Sequence, residues 1–171
     1  MLDSFSTREV MELTGVSARQ LQWWDEQCLV VPARRARQRV YSAADLAEIT
    51  VIDELRRRRV SLKHVRHVMR FLRRELQARL ADMLVADPWS AGSLREKQTE
   101  HLLFDGRHVY LKKGPEQVVD LMRNSRQPML LLSLSDALRP LRADIEGMVA
   151  ARGRKSPGKA NYTKGGKRKQ A

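Results

Sequence analysis

The chain has 171 residues, with 33 Lys and Arg against 20 Asp and Glu, a net charge of +13 and a pI near 10.7. That length allows one or two small domains with a real core, and the charge favours an anionic polymer as partner. The longest apolar run, Met129 to Leu132, is far too short to span a membrane. The N-terminus lacks the basic start and apolar core of a signal peptide. The lone Cys28 excludes an internal disulfide and fits a reducing cytoplasm.

In chain order, Ser6 with Glu9 is a capping box that opens a helix bearing Val10 and Leu13 on one face. Gly15 supplies the positive φ of a tight turn. Ser17 caps a second helix, expected over 17–27, with Leu21 and Trp24 inward and Arg19, Gln20 and Trp23 outward. Two short helices joined at a glycine turn form the DNA-binding helix-turn-helix, whose second helix enters the major groove. A plain helical hairpin in a core has the same local pattern, and the next residues argue against it. Pro32 biases Val31 towards extended backbone. Residues 30–41 then read as a hairpin with a basic tip, a wing carrying Arg34, Arg35, Arg37 and Arg39 and returning through Val40 and Tyr41. Beside a helix-turn-helix, such a tip would lie on phosphates and add affinity without sequence information.

Ser42 and Asp45 form a second capping box, opening a helix with Leu46, Ile49, Ile52 and Leu55 on its apolar face and Arg56 to Arg59 at its end. Ser61 opens a fourth helix, expected to reach Asp87-Pro88. Its stripe runs Leu62, Val65, Val68, Met69, Leu72, Leu76, Leu80, and Lys63, Arg66, Arg70, Arg73, Arg74 and Arg79 occupy the other face. The stripe outruns a small four-helix domain, so Leu72, Leu76, Leu80 and Leu84 are expected to form a homodimer contact.

Residues 88–99 lose periodicity and read as a linker. Asp105-Gly106 between β-rich flanks signals a two-residue hairpin that sets Leu102 opposite Val109, with Phe104 and Leu111 on the same face. Glu116 to Met122 suggests a short helix and Met129 to Leu134 a buried strand. Pro140 is expected in the first turn of a last helix carrying Leu141, Ile145 and Met148. Residues 100–151 are thus a small α+β module. From Arg152 the chain has eight Lys and Arg, no acid and no apolar periodicity, and is expected to be a disordered basic tail; the remainder carries +5. The expected fold is mainly α. It comprises a winged helix-turn-helix domain with fourth helix at 1–87, the linker at 88–99, the α+β module at 100–151 and the tail at 152–171.

Residues 5–72 resemble the MerR family of winged helix-turn-helix regulators. The resemblance rests on Thr14-Gly15-Val16-Ser17, Leu21, the pair Trp23-Trp24 with Asp25, Leu29 with Pro32, Arg39-x-Tyr41-Ser42, Asp45-Leu46 and Ser61-Leu62. It implies a dimer, a recognition helix at 17–27, DNA contacts at Arg19 and at Trp23 or Trp24, and wing phosphate contacts at Arg39 and Tyr41. Cys28 stands where the family usually has Gly, and Gln22 where it usually has Arg. Module 100–150 is similar to the C-terminal halves of short MerR-like and antitoxin-like proteins.

The expected function is therefore a sequence-specific, DNA-binding transcription regulator, cytoplasmic and nucleoid-associated, acting as a homodimer on double-stranded DNA. Its DNA-binding residues are expected to be Ser17, Arg19, Gln20, Trp23, Arg34, Arg35, Arg37, Arg39 and Tyr41, with Arg19 reading guanine and Gln20 adenine. The alternative is an antitoxin-like or phage-type protein-interaction module that also binds DNA. RNA polymerase or a partner protein would dock on 100–151. RNA binding ranks lower, for want of an aromatic stacking motif. No catalytic, metal or cofactor site is expected. His64 and His67 lack a third ligand, His101 and His108 flank the hairpin without an acid partner, and Cys28 reads as a small apolar residue beside Leu29.

Overall fold

A computed structural model describes residues 4–85 and 100–154, without the side chains of 76–83, 85, 153 and 154. Its elements run β1 (Phe5–Ser6), α1 (Thr7–Thr14), α2 (Ala18–Glu26), β2 (Ala33–Arg35), β3 (Gln38–Tyr41), α3 (Ala43–Arg57) and α4 (Leu62–Val85). There follow β4 (Glu100–Phe104), β5 (Val109–Lys113), α5 (Pro115–Asn124), β6 (Leu130–Ser133) and α6 (Leu134–Arg154).

Three capping boxes start α1, α2 and α3 as their sequences dictate. Ser6 Oγ accepts the Glu9 N–H at 3.4 Å while the Glu9 carboxylate accepts the Ser6 N–H at 2.8 Å. Ser42 and Asp45 repeat the exchange at 3.1 and 2.7 Å. Gly15 ends α1 at φ 70°, its N–H donating to the Met11 carbonyl. The first sheet is antiparallel in the order β1-β3-β2, with Phe5 opposite Tyr41 and Arg35 opposite Gln38. Strand β1 has only two residues, too few for an alternation to reveal it.

The second sheet, antiparallel in the order β5-β4-β6, lays Leu102, Phe104, Leu111, Val109, Leu130 and Leu132 on a core shared with α3, α4 and α6. Its hairpin differs from expectation. Phe104 pairs with Val109 and Leu102 with Leu111, across a four-residue connection, Asp105 to His108. The Asp105 side chain accepts the N–H groups of Arg107 at 2.7 Å and His108 at 2.6 Å, closing a longer turn than Asp-Gly alone implies. The register moves by two residues, so the inward face is preserved. His108 does have an acid partner: its Nδ1 lies 3.1 Å from Asp105.

One apolar cluster runs from Val10 and Leu21 through Ile49, Ile52 and Val68 to Leu102, Leu138 and Ile145, so residues of 1–87 and 100–151 share a core. The chain's own α6 and second sheet share a core with the described part of the α4 stripe, Val65, Val68, Met69, Leu72 and Leu84. Leu72 and Leu84 are buried in this cluster, which corrects the expectation that they face a second copy. Leu76 and Leu80 fall outside the described side chains. Helix α6 starts at Leu134, so Pro140 lies in its second turn and not its first. Arg152 to Arg154 continue that helix where the tail was expected to begin; its remainder, 155–171, lies outside the described residues, as does the linker 88–99. Arg152 pairs with Glu9, the capping acid of α1.

Candidate nucleic-acid interface

Helix α2 is held by both ends. At its start, Ser17 Oγ accepts the Gln20 N–H at 3.3 Å, and Gln20 Oε1 accepts the Ser17 N–H at 3.1 Å and its hydroxyl at 2.9 Å. The Gln20 carbonyl oxygen is therefore occupied within the helix, which takes away the acceptor that adenine recognition by an amide requires. Leu21 and Trp24 are buried, and Arg19 and Trp23 are exposed, Trp23 by 40%. These two are one turn apart and share a face. Arg19 makes no ion pair or hydrogen bond among the described residues.

At the C-terminal end, two arginines of α4 hold the backbone that leaves α2. Arg66 donates to the Gln27 carbonyl at 3.3 Å and to its side-chain oxygen at 2.7 Å. Arg73 donates to the Leu29 carbonyl, and grips both oxygens of the buried Glu48 at 3.0 and 2.7 Å. That hydrogen-bonded pairing raises the Arg73 pKa above its usual value. Arg66 and Arg73 are thus fasteners and not part of a free basic face. Between their two attachment points Cys28 turns the chain at φ 52°, and it is exposed, contrary to the buried reading. A left-handed backbone is where glycine is normally preferred, which accounts for the glycine usual at this position in the family that the sequence resembles; nothing in the structure explains the cysteine.

The basic hairpin is pinned to the same helix. Asp25 accepts from Arg39 Nε at 2.8 Å and from Arg34 at 3.2 Å, so one carboxylate ties α2 to β2 and β3. The bond to Asp25 raises the Arg39 pKa, and the Arg39 side chain is only 31% exposed. The turn itself is two residues, Ala36 and Arg37, both at positive φ, as a tight hairpin requires. Arg35 and Arg37 are exposed and free of ion pairs among the described residues, while Arg34 remains 68% exposed beyond its bond. Tyr41 is buried against Phe5 of β1, where desolvation raises its hydroxyl pKa, so it supports the hairpin from below and has no surface to offer a phosphate.

The arrangement sets Arg19 and Trp23 on one face of α2, ties the hairpin that carries Arg34, Arg35 and Arg37 to the same helix through Asp25, and withdraws Arg39, Tyr41 and the Gln20 carbonyl oxygen into the scaffold. The positioning residues Asp25, Arg66, Arg73 and Glu48 carried no such role in the sequence reading. Asp25 had a signal, an acid directly after the aromatic pair and ahead of an arginine-rich hairpin.

Residues 5–72 match the family model described as MerR HTH family regulatory protein. This segment belongs to the MerR family. Across a longer stretch of 144 residues, the chain is 29% identical to proteins of Mycobacterium bovis and of two strains of Mycobacterium tuberculosis. All three are described as uncharacterized HTH-type transcriptional regulators. The match covers 81% of this chain and 54% of each relative, so the chain spans about half the length of the curated relatives it matches. Among the described residues, no helix is long and apolar enough to cross a membrane, and no group of three or more His, Cys, Asp or Glu is placed to hold a metal.

Proposed function

We propose that this chain is a sequence-specific regulator of transcription that binds double-stranded DNA as a homodimer, in the cytoplasm and on the nucleoid. Helix α2 enters the major groove and the β2–β3 hairpin follows the adjacent backbone. One observation carries the reading: Arg19, unpaired among the described residues, stands beside an exposed Trp23 on a helix whose carboxylate, Asp25, fastens a hairpin that carries Arg35 and Arg37, also without ion pairs among the described residues. The MerR match and the description of the relatives as transcriptional regulators support it.

In this reading Arg19 bonds a guanine edge and Trp23 packs against sugar or a thymine methyl. Arg34, Arg35 and Arg37 neutralise phosphates. Ser17 sets the start of the helix. Gln20 keeps only its amide N–H groups for DNA, and Arg39 and Tyr41 act through the position of the hairpin.

Competition binding with a preferred duplex and a scrambled one tests the assignment. Arg19→Ala should cost roughly 1–3 kcal/mol on the preferred duplex and relax discrimination at one or two base pairs per half-site. Arg35→Ala should weaken both duplexes about equally. If the two variants behave alike, Arg19 is a phosphate contact and the reading of α2 fails.

A further inference from the structure

A cavity of about 280 Å³ lies at the C-terminal end of α2, walled by three arginines of α4, Arg66, Arg70 and Arg73. They stand four and three residues apart, on one face of that helix. The loop from Gln27 to Leu29 closes the other side. No carboxylate lines the cavity among the described residues. Glu48 neutralises Arg73 from behind. The other acids near the loop and along α4 are spent elsewhere: Asp25 on the hairpin, Glu26 on Gln22, and Glu75 on Arg74. Arg66 donates only to uncharged oxygens of Gln27. Arg70 is exposed and makes no hydrogen bond or ion pair among the described residues. Two positive charges around one cavity are therefore left uncompensated.

Two of these guanidiniums are held in place with donors to spare. Each guanidinium carries five N–H groups. Arg66 spends only Nη2, on the Gln27 carbonyl and side-chain oxygens, and keeps Nε and Nη1. Arg73 spends Nε and Nη2 on Glu48 and the Leu29 carbonyl, and keeps Nη1. Donors fixed in advance lower the ordering cost of binding. The C-terminal dipole of α2 by itself opposes an anion. Its last carbonyls are occupied, however. Those of Trp23, Trp24 and Asp25 accept the N–H groups of Gln27, Leu29 and Cys28, and those of Gln27 and Leu29 accept from the arginines.

Guanidinium geometry suits carboxylate and phosphate alike, so charge decides between them. A phosphate monoester carries about −1.5 to −2 at neutral pH, which matches the two uncompensated cations; a single carboxylate supplies half of that. The remaining wall, Leu29 and Met69, is buried and apolar, and no aromatic ring is present to stack a nucleobase. We propose that this cavity binds a small phosphate monoester without a base. Recognition helices meet base edges with their N-terminal residues. Gln27 is eight residues beyond Arg19, about 12 Å along the axis, so the cavity is set apart from the face proposed to read DNA. A ligand there joins Arg66 and Arg73, the side chains that fasten the exit of α2, and so bears on how that helix is held.

Calorimetric titration of the full chain with inorganic phosphate and with glycerol phosphate, against chloride at matched ionic strength, tests the proposal. Each should bind at one saturable site. Arg70→Gln should weaken both by roughly tenfold, with an unchanged thermal melt. Lys63→Gln, the same loss of charge at an exposed residue of the same helix, should bind like the wild type. Cys28 lines the cavity and is the chain's lone cysteine, so its alkylation by a neutral maleimide locates the ligand. Saturating glycerol phosphate should slow that alkylation several-fold in the wild type. An absence of saturable binding, equal losses in the two variants, or alkylation indifferent to a bound phosphate would each overturn the proposal. A DNA duplex that slows alkylation where glycerol phosphate does not would assign the cavity to the DNA backbone, and overturn it equally. None of these readouts depends on DNA sequence, so the operator reading and the cavity stand or fall separately.

Discussion

Asp25 is the residue on which the geometry of the interface turns. It is an acid on the helix proposed to face DNA, so by charge alone it should oppose binding. Its bonds to Arg34 and Arg39 offset this by fixing where the hairpin stands relative to α2. The two effects predict opposite results for Asp25→Ala. If positioning dominates, affinity should fall by about tenfold or more on every duplex, because Asp25→Ala removes both charge-assisted hydrogen bonds to the hairpin. Fluorescence anisotropy checks this, and tighter binding would show that Asp25 merely neutralises. At this scale the sequence was legible where partners are neighbours. The boxes at Ser6 and Glu9 and at Ser42 and Asp45 follow from a three-residue spacing; Ser17 reads as a cap, but Gln20 reads as facing out and not as its partner. It was opaque at Arg66 and Arg73, whose backbone acceptors lie 39 and 44 residues away, and at Cys28, whose exposure follows from the loop those arginines hold.

Among the elements, the β4–β5 hairpin shows how a side chain overrides a turn motif. Asp105-Gly106 announces a turn correctly, but the carboxylate reaches two further N–H groups and lengthens the loop to four residues. The backbone N–H of His108 is the foremost cause holding the Asp105 pKa down to about 2, from an ordinary 3.8. The folded pKa is the lower one, so the stabilisation is present in full above about pH 4 and is lost as the pH falls towards 2. Asp105→Asn should cost roughly 1 kcal/mol at neutral pH. Urea denaturation of both proteins between pH 7 and 3 should find the gap narrowing in acid; a constant gap would contradict the assignment. Helix α6 teaches the complementary lesson. Pro140 suggested a helix start, yet Leu134 and Leu138 are buried ahead of it, and that packing outweighs the hydrogen bond a proline removes. The α4 stripe was read correctly as needing cover; that the cover comes from the same chain depends on contacts between distant segments, which periodicity does not encode.

Across the whole molecule, the C-terminal module, residues 100–151, shares its core with the MerR segment. Arg58 donates to the Leu131 carbonyl of β6 at 2.7 Å, and Arg152 reaches Glu9, so α3 and α1 are each tied to it. The buried Glu48 with Arg73 joins α3 to α4 near the exit of α2. Glu48→Gln should destabilise the chain by about 1–3 kcal/mol, because it leaves Arg73 without its charge partner; an unchanged urea midpoint would contradict that role. Charge acts at the same scale. Residues 155–171 hold six Lys and Arg and no acid. Deleting them should flatten the salt dependence of DNA affinity, by about 0.9 in log–log slope for each phosphate the tail had neutralised, without changing which sequence is preferred. A changed preference would assign the tail a reading role.

The central claim, that α2 reads DNA sequence, is tested most directly by selection from a random duplex library with the full chain at physiological salt. The wild type should enrich an inverted repeat with half-sites about one helical turn, or a multiple, apart, and Arg19→Ala should lose the enrichment at one position in each half-site. Duplexes recovered with no sequence in common, from a protein that still binds DNA, would contradict it.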